Sequence, residues 1–164
     1  IAPFFSRKDR AISTVPLGEA LEIGSVEKVE YNAIGIPVDF SAADRNTIRH
    51  ALIQGGKGAQ YYLIHVVETA GARFHGRTVL DMETQSDADN LKKYQLNLES
   101  LGYKANTVIG YGSAPRAIAD AVNRNNIDLL VMGAHGHKQL ADLVFGTTLD
   151  SVRHKVKIPV LIIK

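Results

Sequence analysis

Three glycines and a threonine near the carboxyl end are the residues of this chain best suited to hold an anion. They are Gly133, Gly136, Gly146 and Thr147. A glycine carries no Cβ, so the backbone N–H groups around it can approach a phosphate closely. Thr147 is placed to cap a following helix, with Asp150 at the third helical position completing a capping box. A helix start offers unpaired N–H donors and a partial positive charge, for which phosphate is the natural guest. Capping and phosphate binding use the same geometry, so Thr147 and Thr148 suit either task or both.

A second chemical group stands far from these in the chain. Asp39 follows the apolar run from Ala33 to Val38 and can accept a hydrogen bond from a sugar hydroxyl or a base amine. Its plain alternative is a loop carboxylate that caps the next helix, a task the spacing gives to Ser41 instead. His135 and His137 form an H-x-H pair with no third ligand near in sequence. A solvated loop or a phosphate-side donor is therefore preferred to a metal site. Lys138 suits a phosphate contact and a solvated position equally. His65 lies in an apolar run and reads as a satisfied histidine of the core or pocket edge.

Other chemistries are excluded or unsupported. The chain has no cysteine, which removes disulfides, thiolate metal sites and cysteine nucleophiles. There is no P-loop lysine motif and no G-x-G-x-x-G, since Gly110-Tyr-Gly112 breaks off at Pro115. Gly55-Gly56-Lys57-Gly58 reads as a helix stop before a strand. No G-x-S-x-G elbow occurs. One aspartate and a set of backbone donors would support slow ATP hydrolysis at most.

The elements that must position these groups follow from burial periods. Apolar runs at 33–38, 61–67, 105–109, 127–132 and 159–163 read as strands. Helical spacing separates them. Ser41 and Asp44 have capping-box spacing before Ile48, Ala51 and Leu52, and Gly55-Gly56 stops that helix. Leu91, Tyr94, Leu98 and Leu101 mark a second helix, and residues 68–83 before it read as an irregular connection. Pro115 sits in the first turn of a third. Leu149, Val152 and Val156 face a fourth. Strands alternating with helices predict a doubly wound α/β domain, a parallel sheet with helices on both faces. Order 3-2-1-4-5 is preferred over the flavodoxin-like 2-1-3-4-5. In the preferred order the ligand crevice opens between strands 1 and 4, where Asp39 and Gly133 emerge.

The 164 residues and 17.9 kDa allow one domain. Residues 1–32 read as a lead-in or linker and 33–164 as the domain. Net charge is +2, too small to suggest nucleic-acid binding. Its distribution is informative, because residues 133–164 carry five Lys/Arg against two Asp/Glu. No apolar run is long enough to span a membrane.

Gly133-x2-Gly136-x9-Gly146-Thr147 resembles the nucleotide motif G-x2-G-x9-G-[ST] of the universal stress protein family. Pro37-Val-Asp-Phe-Ser41, His65-Val66, Asp128-Leu-Leu-Val-Met-Gly133 and Pro159-Val-Leu-Ile-Ile163 resemble its other segments, in order, across roughly 33–164. The resemblance implies the 3-2-1-4-5 sheet and a regulatory or stress-response module that binds ATP or AMP, with or without Mg. It places Pro37, Val38 and Asp39 on the adenine and ribose side and Val66 against adenine. Met132 and Gly133 fall beside the nucleotide. Gly136, Gly146, Thr147 and Thr148 fall around ribose and phosphates, with His137 in the same loop. It also implies a cytoplasmic homodimer formed through residues 160–163, which would cover an apolar edge. A dimeric interaction module with no nucleotide is the alternative. The lead-in and the initial Ile1 suggest a cytosolic domain taken from a larger protein, a membrane transporter being the expectation. The turn at 110–115 is longer than the family's usual one.

Overall fold

The computed structural model describes residues 18–68, 77–134 and 144–164. Five strands form one parallel sheet: β1 (Ala33–Pro37), β2 (Gln60–Val67), β3 (Lys104–Tyr111), β4 (Leu129–Gly133) and β5 (Val160–Ile163). Their spatial order is β3-β2-β1-β4-β5, the order expected from the sequence. Among the described residues four helices alternate with the strands: α1 (Asp44–Gly55), α2 (Arg77–Ser100), α3 (Ala114–Arg124) and α4 (Val144–Lys155).

The sheet is buried on both faces, which explains why its strands are apolar runs rather than alternating ones. On one face Ile34, Ile36 and Val38 pack with Tyr61, Leu63, Leu129 and Val131 beneath Ala51 of α1 and Leu91 and Leu98 of α2. On the other, Ile64, Leu130 and Met132 pack with Ile118, Ala121 and Val122 of α3 and Val152 of α4. The two-residue period of a strand sends alternate side chains to these two layers.

The entry to β1 is fixed by a carboxylate from the neighbouring strand's approach. Asp128 accepts hydrogen bonds from the backbone N–H groups of Asn32 at 2.9 Å and Ala33 at 3.0 Å. Its own N–H donates to the Ala33 carbonyl at 2.8 Å. These bonds align β1 with β4, whose register pairs Ile34 with Leu129 and Gly35 with Leu130.

Three local expectations need correction. Ser41 does not cap α1: the N-cap is Ala43 and no side chain caps it. Asp44 acts from the first helical position instead. Residues 77–83 are helical rather than irregular, since α2 begins at Arg77. Residues 69–76 lie outside the described ones. Finally, α4 begins at Val144, so Gly146 and Thr147 are in its first turn. Thr147 is therefore not the N-cap. Asp150 does not complete a capping box either; it accepts from Arg153 Nε at 2.7 Å, one turn further along.

Candidate functional site

The carboxyl ends of β1 and β4 emerge side by side where the strand order reverses, because β2 continues on one side of β1 and β4 on the other. Carrying the Gly35↔Leu130 pairing three residues on brings Val38 level with Gly133. Pro37, Val38 and Asp39 leave β1 there, and Met132, Gly133 and Ala134 leave β4. Val38 is buried, and its N–H still donates to the Ile64 carbonyl at 2.8 Å, so the chain is held in register up to Asp39.

Past Val38 the backbone turns sharply. Phe40 has φ of +62°, a region that a residue with a Cβ seldom occupies. Side-chain acceptors hold it. Asp44 Oδ2 accepts from the Phe40 N–H at 2.7 Å, and Asp44 Oδ1 accepts from the Asp39 N–H at 3.3 Å. Asp39 Oδ1 in turn accepts from the Ser41 N–H at 3.0 Å, a local turn of the kind aspartate favours. Asp39 Oδ2 and Ser41 Oγ are left over. Both are buried and have no hydrogen-bond partner among the described residues. A buried acceptor without a partner is costly, and such atoms commonly wait for a ligand or water.

A ring of side chains supports this turn from outside. Phe40 packs on His65, with ring centroids 4.5 Å apart, and near Tyr94 at 5.8 Å. His65 Nδ1 donates to the Val38 carbonyl at 3.0 Å, and Nε2 lies 3.2 Å from Asp87 Oδ2 on α2. The expectation of a satisfied histidine is met at Nδ1 by the Val38 carbonyl. Tyr94, from α2, donates to Asp44 Oδ2 at 3.1 Å.

The electrostatics follow from burial. Asp44 is pushed up to about 6, first by burial and then by the nearby Asp39 charge; the bonds from the Asp39 and Phe40 N–H groups and from Tyr94 act in the opposite direction. Tyr94 is pushed up to about 12 by burial, then by the charge on Asp44 and the hydrogen bond it donates there. The phenol therefore stays protonated and remains a donor.

The other expected residues are distributed as follows. Met132 is buried on the α3/α4 face, and Val66 is half-buried against the same apolar layer. Val66 lies on β2 opposite Gly110, one strand removed from the β1–β4 junction. Gly133 ends β4, and the next N–H, that of Ala134, donates to the Ile163 carbonyl at 2.7 Å. Gly146 and Thr147 lie in the first turn of α4, and Thr148 is half-buried one residue later. Gly136 and His137, with His135 and Lys138, lie outside the described residues. Among the described residues no group of three His, Asp or Glu side chains is placed to hold a metal. Phe40, Asp44, Asp87 and Tyr94 surround the Asp39 turn and are not among the candidate residues named from the sequence. By spacing alone Asp44 reads as a capping residue and Tyr94 as part of a helix face.

Comparison with known proteins adds the decisive observation. Residues 30–164 match the family model described as the universal stress protein family. The chain belongs to the universal stress protein family. Universal stress protein Slr1230 of Synechocystis sp. is 43% identical over 72 residues, which are 44% of this chain and 25% of that protein, so the match spans a quarter of that relative's length. Universal stress protein MJ0577 of Methanocaldococcus jannaschii is 23% identical over 156 residues, covering 83% of this chain and 96% of it. The MJ0577 structure superposes with a TM-score of 0.73 over 83% of this chain and 97% of that one. Two universal stress protein structures contain nucleotides. One, in complex with cAMP, is 18% identical, with a TM-score of 0.63 over 83% of this chain and 99% of its own. The other, from Archaeoglobus fulgidus in complex with dAMP, is 19% identical, with a TM-score of 0.60 over 83% and 100%. At these identities the likeness establishes the shared fold.

Proposed function

We propose that this domain is a regulatory module that binds an adenine nucleotide at the β1–β4 junction. The observation that carries the reading is the buried, unpartnered Oδ2 of Asp39 at the point where the sheet order reverses. An acceptor in that place suits a ribose hydroxyl or a base amine. In this reading Pro37, Val38, Val66, Met132 and Gly133 line the base and ribose side. Gly136, His137, Gly146, Thr147 and Thr148 lie toward ribose and phosphates, with the first turn of α4 supplying N–H donors. Relatives crystallised with cAMP and dAMP support the ligand class. ATP and AMP are the ligands to test first, with and without Mg.

The reading includes signalling through self-association. β5 lies at the sheet edge, and Ile162 is 41% exposed there. Pairing of two such edges would cover both. Calorimetric titration with ATP, ADP and AMP tests the nucleotide site. Saturable binding is expected. No heat and no melting shift at millimolar nucleotide would overturn it.

A further inference from the structure

We propose that Asp44 is a positioning residue for the Asp39 loop, and that ligand binding at Asp39 is coupled to uptake of a proton by Asp44. The inference rests on the nucleotide reading above and deepens it.

The geometry places two carboxylates at the two ends of one tight turn. Asp44 bonds the N–H of Asp39 itself and that of Phe40, while Asp39 bonds the N–H of Ser41. Among the described residues neither carboxylate has an ion-pair partner within 4.0 Å. The groups around Asp44 offer little compensation. Tyr94 from α2 is a neutral donor. His65 from β2 packs on Phe40 and is engaged by Asp87. Arg45, next along α1, is exposed. The strands β1, β4 and β5 consist only of apolar residues. Burial and the Asp39 charge already push Asp44 up to about 6, so its proton exchanges near neutral pH.

A ligand hydroxyl that donates to Asp39 Oδ2 seats the ligand against the turn and keeps solvent from it. Asp44 then lies beside a fixed like charge in a drier setting, which favours its neutral form. The proton comes from solvent. A neutral carboxyl keeps an oxygen that can accept the Phe40 N–H, so the turn is preserved while the repulsion is removed.

The test is adenosine affinity by calorimetry from about pH 8 down to about pH 5, a window that brackets the Asp44 transition. Adenosine carries no phosphate to titrate there. Affinity should rise about tenfold, the change a one-unit shift on binding produces. Asp44→Asn, which keeps an acceptor and cannot titrate, should bind with a flat profile. NMR titration of the side-chain carboxyl carbons of the unaltered protein gives an independent readout, in which adenosine should move the Asp44 transition upward. A flat profile in the unaltered protein, a slope that persists in Asp44→Asn, or an unmoved Asp44 transition would overturn the coupling while leaving the nucleotide site standing. Absence of binding of both adenosine and AMP at every pH would overturn the nucleotide reading and the coupling together.

Discussion

Tyr94 on α2 donates a hydrogen bond to Asp44 on α1 at 3.1 Å, although 50 residues separate them in the chain. That bond joins the helix following β2 to the turn following β1. It also satisfies the same oxygen that holds the strained Phe40 N–H. Tyr94→Phe removes the donor and keeps the ring. It should lower stability by about 1 kcal/mol in urea unfolding. Loss of this bond should also move the Asp44 titration further upward, since the bond is one of the influences that lower it.

The sign of the Asp44 effect on stability is fixed by its direction. Its folded value, about 6, lies above its ordinary 3.8, so between these pH values the folded state holds a proton that the unfolded state has lost. Unfolding free energy from this group therefore falls as pH rises through that window, by about 3 kcal/mol at most. Asp44→Asn should match the unaltered protein near pH 4 and exceed it by about 1–2 kcal/mol near neutral pH. Denaturation at several pH values checks this, and the difference between the two proteins isolates the one group.

Asp128 is the only side chain bonding the backbone at the start of β1 among the described residues, through the N–H groups of Asn32 and Ala33. Asp128→Ala leaves both donors without their acceptor. Stability should fall by about 2 kcal/mol. Amide exchange at Asn32 and Ala33 should accelerate more than at the β2–β3 pairs.

Gly55 and Gly56 look alike in sequence and do different work. Gly56 has φ of +57° as the C-cap of α1. At Gly55 the constraint is space: a Cβ would lie 2.6 Å from both Ala59 Cβ and Ile34 Cδ1. Gly55→Ala should therefore cost about 1–3 kcal/mol by overpacking. Gly56→Ala should cost about 1–3 kcal/mol through backbone strain alone, because with ψ of −154° the residue lies in a region that glycine alone readily occupies. Melting of the two variants measures both costs.

The fold was legible because each strand is an apolar run bounded by helical spacing and glycine, and a sheet buried on both faces requires that pattern. Asp39 and Gly133 were legible as a pair because the strand order brings the ends of β1 and β4 together. The start of α4 was misjudged because Gly146 is a poor helix former, yet the helix begins before it at Val144. The role of Ser41 was misjudged because capping-box spacing does not reveal which end of the box closes; here Asp44 reaches back and Ser41 Oγ stays unpartnered. The Tyr94–Asp44 bond leaves no local pattern, since only the packing of α2 beside α1 brings the two together.

Asp39→Asn is the most direct test of the central claim. Asparagine keeps the oxygen that accepts the Ser41 N–H and replaces the unpartnered oxygen with a donor. Calorimetric titration of AMP into both proteins should show saturable binding to the unaltered chain. Affinity should be lower in the variant by about tenfold or more, the loss expected for a hydrogen bond to a charged acceptor, with melting not lowered, since loss of the Asp39 charge relieves its repulsion with Asp44. Equal affinity in the two proteins, or no binding to either, would contradict the account.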